Sequence, residues 1–385
     1  MAAQDTMTQW DLADRQALQL ELSSAATVTK PLRRAAAALT ATLLALGARY
    51  ADSNGQIPPQ RQAEIRAALD AALAGLAVDV AAETTRAVAA ATALAVRQET
   101  RALRALGIDA KRLRLRIADP VLTQAGQSST RVLAAAIGDA QRFAASVPLA
   151  SVAQLEAVAA KAAGIAPRVE ANVRFLTNRA INETTRQLAR EATTLAPPPA
   201  PPAERFPLEP DSLKPPPQLP PVSPPPLEPA RPPLVPPTLV LVWVAERDAC
   251  LTCLALSGHV SDPNRGIGFD EDATFSPHGA PPVWPPGMPL LAPPRHPRCR
   301  CRLRIITADN TLVPETLRLN AQRSVLRGLS GSDSNRSRMT AARRLLAHGT
   351  GLPSAVHERA TRDLARGRFT KPRGPLAKRR YPQSR

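Results

Sequence analysis

Between Pro197 and Pro237, twenty of 41 residues are proline, in runs such as P-P-P-A-P-P and P-P-P-Q-L-P-P. Proline fixes φ and has no backbone donor, so this stretch can enter neither a helix nor a sheet. It divides the chain into parts that must find their secondary structure on either side of it. The expected form is a semi-rigid polyproline II spacer, at about 3.1 Å per residue and therefore ~130 Å if fully extended. P-x-x-P matches inside it are docking candidates, but composition alone produces them in so proline-dense a run. The spacer gives no reason to expect the parts it joins to dock rigidly.

Upstream, residues 5 to about 195 are dominated by Ala, Leu, Arg, Gln and Glu, all good helix formers. Pro31, Pro58-Pro59, Pro120, Pro148 and Pro167 punctuate the region, and each is expected to mark a helix boundary. Ile65, Leu69, Leu73, Leu76 and Val80 recur at steps of three or four, and a further helix is expected from Ala153 to Ala163. Val169–Ala192 continues the pattern, with Val169, Val173, Leu176, Ala180 and Glu183 on one line and Ile181 and Leu188 beside it. Its polar residues, including Arg179, Asn182 and Glu183, suggest a solvated helix face with i,i+3 and i,i+4 ion pairs. An Ala-rich stack of this kind buries little area per residue, so a homo-oligomer or partner is one expected source of stability.

Downstream, all four cysteines fall within Trp243–Leu303: Cys250-x-x-Cys253 at the front and Cys299-x-Cys301 at the back. The loop between them has little helix or strand character and nine prolines from Pro277 to Pro297. A tetrahedral structural metal accounts for two close pairs at the ends of such a loop, because zinc takes four Cys or His ligands. The ligands would be Cys250, Cys253, Cys299 and Cys301, with His296 as an alternate ligand or a neighbour of the shell. A disulfide or redox pair is a second reading, although a bond within Cys299-x-Cys301 is sterically awkward. Unligated buried cysteines are a third. Thr238–Ala245 and Arg302–Thr307 are the clearest strands, apolar and β-branched or alternating, and would pair across the clip. Asp270, Glu271 and Asp272 suggest a solvated turn, since calcium-loop spacing is absent.

The module resembles the C-terminal module of the Mu F-like minor head (phage head morphogenesis) proteins of tailed phages. Asp248, Cys250, Cys253, Leu256 and Gly258, then Pro293, Pro294, His296, Pro297, Cys299, Arg300 and Cys301 carry the resemblance, which covers about sixty residues. N-R-A-I-N-E-T-T-R, from Asn178 to Arg186, is loosely similar to a helix that precedes the module in that family. The resemblance implies a minor head protein at the portal vertex, acting in procapsid assembly and in handling packaged DNA. Its implied partners are the portal protein and other head proteins. Its implied location is the virion or procapsid interior, with the host cytoplasm during assembly. A cellular zinc-ribbon-like, non-specific nucleic-acid-binding protein is the alternative.

Charge points to a polyanion independently. From Arg302 to Arg385 there are 19 Lys and Arg against five Asp and Glu, a net +14 out of +18 for the whole chain. Two helices are expected there, Ser337–His348 and Ser354–Arg366, followed by a basic tail without a packing pattern. Arg343, Arg344, Arg359, Arg362, Arg366, Lys371, Arg373, Lys378, Arg379 and Arg380 are the candidate contacts to double-stranded DNA. Such binding would be non-specific, because phosphate neutralisation supplies it and aromatic residues for stacking are nearly absent. No P-loop, G-x-S-x-G or H-E-x-x-H occurs, so no enzyme is expected. The start of the sequence has no signal-peptide pattern, and its most apolar run, Ala35–Ala48, is too short to span a bilayer, so no membrane association is expected. The expected organisation is mainly α: an Ala-rich helical region over 1–195, a Pro-rich linker over 196–238, a small α+β metal-clipped module over 239–306, and basic helices and tail over 307–385.

Overall fold

The computed structural model describes residues 3–109, 113, 119–195, 238–261, 293–294, 299–330, 334–349 and 351–369. The Pro-rich segment, the loop carrying Asp270, Glu271, Asp272 and His296, and the tail carrying Lys371, Arg373, Lys378, Arg379 and Arg380 lie outside the described residues. The fold is mainly α with one small sheet. None of the described helices is long and apolar enough to cross a membrane.

Helix α1 (Ala3–Tyr50) runs the length of the helical region. Around it pack α2 (Pro59–Ala74), α3 (Ala81–Ala105), α5 (Val152–Ala163) and α6 (Ile165–Leu195), while α4 (Asp119–Ser146) lies against α2, α3, α5 and α6. The expected apolar line is buried: Ile65, Leu69, Leu73, Leu76 and Val80 join Val28, Leu32, Leu39, Leu43, Leu155, Val169 and Val173 in one core. Pro31 departs from expectation, because it lies inside α1 rather than at a boundary. A proline there forfeits one helical hydrogen bond and costs about 3 kcal/mol. Both Pro31 and Thr27, whose carbonyl loses its donor, are on the solvent side. Val28 and Leu32 bury the opposite side, so packing carries the helix through the break. Pro167 likewise sits in the first turn of α6, where a missing N–H matters little.

After the Pro-rich segment, β1 (Leu239–Val244) pairs antiparallel with both β2 (Val260–Ser261) and β3 (Arg302–Thr307), in the order β2-β1-β3. The two expected strands therefore pair, from Leu239 opposite Thr307 to Val244 opposite Arg302. Helix α7 (Leu251–Leu256) follows β1 and ends on Gly258, whose φ of 79° suits glycine. A Cβ there would also lie 2.3 Å from the carbonyl oxygen of Pro314, so the glycine lets the next helix approach.

That next helix, α8 (Leu312–Leu326), is absent from the sequence-based expectation. With α9 (Asn335–His348) and α10 (Ser354–Ala365) it forms a three-helix unit on α7. Leu251, Leu254, Val325, Leu326, Leu345, Val356 and Phe369 make its core. Helix α9 begins at Asn335, two residues before the expected Ser337, and Ser334 caps it, its hydroxyl accepting from the Ser337 N–H at 3.2 Å. Helix α10 begins at Ser354 as expected, with Pro353 at the N-cap position. Phe369 corrects the expectation that the C-terminal stretch lacks packing from its start, because it is buried against Gly328.

The helical region and the module share a core. Leu103 of α3 and Leu188, Ala189 and Ala192 of α6 are buried in one cluster with Leu239, Leu241, Trp243, Leu303 and Ile305. Ala192 and Leu239, which flank the Pro-rich segment, thus belong to the same hydrophobic cluster. Proteolysis at Glu204–Arg205–Phe206 should accordingly yield two pieces that co-elute in native gel filtration and part only in denaturant. Separation of the nicked pieces under native conditions would contradict a shared core.

Candidate metal centre

The cysteines meet where β1 leaves the sheet and β3 enters it. Cys250 is the N-cap of α7 and Cys253 lies in its first turn. The Cys-x-x-Cys spacing therefore places both on one short helical turn. Cys301 directly precedes β3, and pairing of Val244 with Arg302 brings that end beside α7. The sulfurs of Cys253, Cys299 and Cys301 all lie within 4.8 Å of one another, and all three residues are buried. Cys253 Sγ and Cys299 Sγ are 3.8 Å apart. That is too long for a disulfide, at about 2.05 Å. It matches the edge of a tetrahedron with metal–sulfur bonds of about 2.3 Å, which is ~3.8 Å. None of the four cysteines is in a disulfide, so the disulfide reading does not describe this structure.

The donor set fits a thiophilic cation. Hydrogen bonds with Cys250, Cys299 and Cys301, and burial besides, push the Cys253 thiol well above the usual range. Burial does the same to Cys301. Buried thiols crowded in this way resist ionisation unless a positive charge sits among them. Cys250 is half-buried and hydrogen-bonded to Cys253. Arg300, between the two rear cysteines, forms an ion pair with Asp248 just ahead of the front pair. The motif residues Asp248 and Arg300 thus tie the two halves together independently of the sulfurs.

Helix α6 holds the rear pair from the other side. The Asn182 carboxamide accepts from the Leu303 N–H at 2.7 Å and donates to the Cys301 carbonyl at 3.2 Å. Strand β3 is an edge, so these two backbone groups face away from β1, and the side chain stands in for a missing strand. Asn178 donates to the Cys299 carbonyl and accepts from both Asn182 and Arg302. This overturns the solvated-face reading for the buried part of the segment, while the expected i,i+3 ion pair is present between Glu183 and Arg186 at 2.8 Å. Arg179 and Glu183 are exposed as expected, but Asn178, Asn182, Thr184 and Thr185 are buried.

Strand β3 also carries two buried arginines. Arg302 pairs with Glu21 of α1, and Arg304 pairs with Asp14 of α1 and with Glu99 of α3, the last at 2.9 Å. Burial opposes the charge on Arg302, but Glu21 and Asp14 more than offset it, and its pKa lies above the usual arginine value. Burial raises the Glu99 carboxyl, partly countered by Arg304. Here two arginines meet three carboxylates, and burial presses Glu99 towards its neutral form. The raised pKa means a contribution to stability that is full below the ordinary carboxylate range and lost as pH rises through the shifted value.

None of these polar partners was singled out from sequence as belonging to the site. The available signal was Arg302 and Arg304 alternating with Leu303, Ile305 and Ile306 in a strand, since buried arginines require carboxylates. The DNA candidates Arg343 and Arg344 on α9 and Arg359, Arg362 and Arg366 on or just after α10 are all exposed, away from the sulfur cluster on the three-helix unit. Comparison with protein-family models, curated proteins and solved structures finds no match to this chain.

Two outcomes are expected for variants. Asn182→Leu strands the Leu303 N–H and Cys301 C=O, each at about 1–3 kcal/mol, and should lower Tm and metal affinity together. Glu21→Gln, which leaves Arg302 short of its charge partner, should cost about 3–5 kcal/mol. Glu99→Gln should cost clearly less at neutral pH, and equal losses in denaturant titrations would contradict this account of the charges.

Proposed function

We propose that this chain is a minor head protein of a tailed phage or prophage, acting at the portal vertex in procapsid assembly and in handling packaged DNA. The observation that carries the proposal is the coincidence, in one module, of the C-x-x-C and H-P-x-C-R-C pattern with three clustered sulfurs. The cation is zinc, structural in role, with Cys250 as fourth ligand beside Cys253, Cys299 and Cys301. Four thiolates would close the coordination sphere, leave no position for substrate and make the chain a binding and assembly protein, not an enzyme. Its partners are the portal and other head proteins, and duplex DNA without sequence preference. Support for the DNA half is the net +14 over residues 302–385 and the exposure of five candidate arginines on a folded helical unit. The site of action is the virion or procapsid interior.

The purified chain should carry about one zinc, and Cys253→Ser should lose both metal and stability, because binding free energy becomes folding free energy at such sites. A chain with no zinc and an undiminished Tm would refute the structural-metal assignment. Tagged protein expressed with the neighbouring head genes should sediment with portal-containing particles. Deleting residues 371–385 should weaken DNA binding and flatten its salt dependence, by about 0.9 in slope for each phosphate no longer neutralised. Association with cellular nucleic acid but never with heads would favour the zinc-ribbon-like alternative.

A further inference from the structure

Arginines gather a second time in the described residues, where no carboxylate network receives them. Arg247 lies in the turn between β1 and α7. Arg323 is in the last turn of α8, Arg327 caps its C-terminus, and Arg359 is on α10. Helix α8 packs against both α7 and α10, so the three elements meet there. Arg247, Arg327 and Arg359 are exposed and Arg323 is partly so. The charged neighbours of Arg327 are Arg247, Arg359 and Arg323, all of its own sign. Burial first, and then their repulsion, hold its pKa below the usual arginine value. Arg323 and Arg327 have no ion pair among the described residues. Arg359 has one at the edge of range, to Asp363 at 3.7 Å. Acidic groups lie beside Arg247 as well: Asp11 of α1 faces it, and Glu246 and Asp248 flank it in sequence, Asp248 being paired with Arg300.

This contrasts with Arg302 and Arg304 on the same module, each sealed under carboxylates. Arg327 stands among arginines from neighbouring elements, and an anion placed there would be met by guanidinium groups from each of them. The surrounding surface narrows the choice of anion. Among the described residues of α8, α9 and α10, Leu312 is the large apolar side chain most open to solvent, while Phe369 is buried. A protein interface ordinarily has an apolar core, and single-stranded nucleic acid is held by exposed rings. Neither feature is present among the described residues of these helices. Guanidinium forks without either match the phosphate oxygens of a duplex backbone.

We infer that Arg247, Arg323, Arg327 and Arg359 form a folded phosphate-binding patch for duplex DNA, separate from the basic tail and built on the metal-bearing module. The inference deepens the DNA half of the proposed function and rests on it. Because Arg247 stands three residues before Cys250, the patch depends on the same turn that carries the front cysteines.

The test is a duplex-DNA titration of the full, zinc-loaded chain at two salt concentrations. The variants are Arg323→Gln/Arg327→Gln, Arg247→Gln/Arg359→Gln and, as control, Arg86→Gln/Arg142→Gln on α3 and α4. Each patch arginine that meets a phosphate should take about 0.9 from the salt slope when removed. Both patch pairs should weaken binding several-fold, while the control pair leaves it near wild type. Tm should hold or rise in Arg323→Gln/Arg327→Gln, because like-charge repulsion is relieved. Arg323→Lys/Arg327→Lys should retain most of the slope. If the wild-type chain binds DNA and both patch pairs bind equally well, the patch is wrong and the tail-based reading survives. If the wild-type chain shows no DNA binding at low salt, patch and DNA reading fall together.

Discussion

The structure depends on the burial of two arginines in strand β3. Arg302 and Arg304 are almost wholly withdrawn from water, and withdrawing such ions is costly unless each is met by charge and hydrogen bonds. Their partners are distant in sequence: Asp14 and Glu21 on α1 and Glu99 on α3. No fragment of the module alone can supply them. The strand that delivers Cys301 therefore reaches its place only when the helical region is present. The ion pairs specify how module and helices dock, and the apolar cluster of Leu103, Leu188, Ala192, Leu241, Trp243 and Ile305 drives the docking.

The sulfur cluster inherits its geometry from this arrangement. Antiparallel pairing of β1 with β3 brings Val244 beside Arg302 and so sets the front and rear cysteines at one end of the sheet. The carboxamides of Asn178 and Asn182 then fix the backbone of Cys299 and Cys301 from the far edge. A metal would add a further bond between pieces already aligned. The Asp248–Arg300 pair does the same in ionic form. On the opposite flank α7 supports α8, with Gly258 permitting their close approach, and the cationic helices are thereby anchored to the cysteine module.

Much of this was legible in the sequence. Paired cysteines, two β-branched strands and an Ala-rich periodic region announce themselves, because each depends on local composition. Pro31 misleads because its cost is local and modest, whereas the packing of Val28 and Leu32 is not visible from the proline. Helix α8 had a signal: Val313, Leu317, Ala321 and Val325 recur every four residues, with Pro314 in the first turn. Asn178 and Asn182 look like a solvated face because polarity at helical spacing is ambiguous. It distinguishes water from a partner only when the partner, here a strand edge about 120 residues away, is known. The same holds for Glu21 and Glu99, which look like ordinary helix residues until β3 is laid against them.

Hydrogen exchange, read by mass spectrometry on the intact chain, tests the interlock most directly. Elements that unfold as one unit share one opening free energy. The account predicts that β3, including the Leu303 amide held by Asn182, exchanges only through the same opening as the cores of α1 and α6, and that Glu21→Gln lowers the protection of all three together. Exchange of β3 and α7 through a separate, easier opening, with α1 and α6 unaffected by Glu21→Gln, would contradict it.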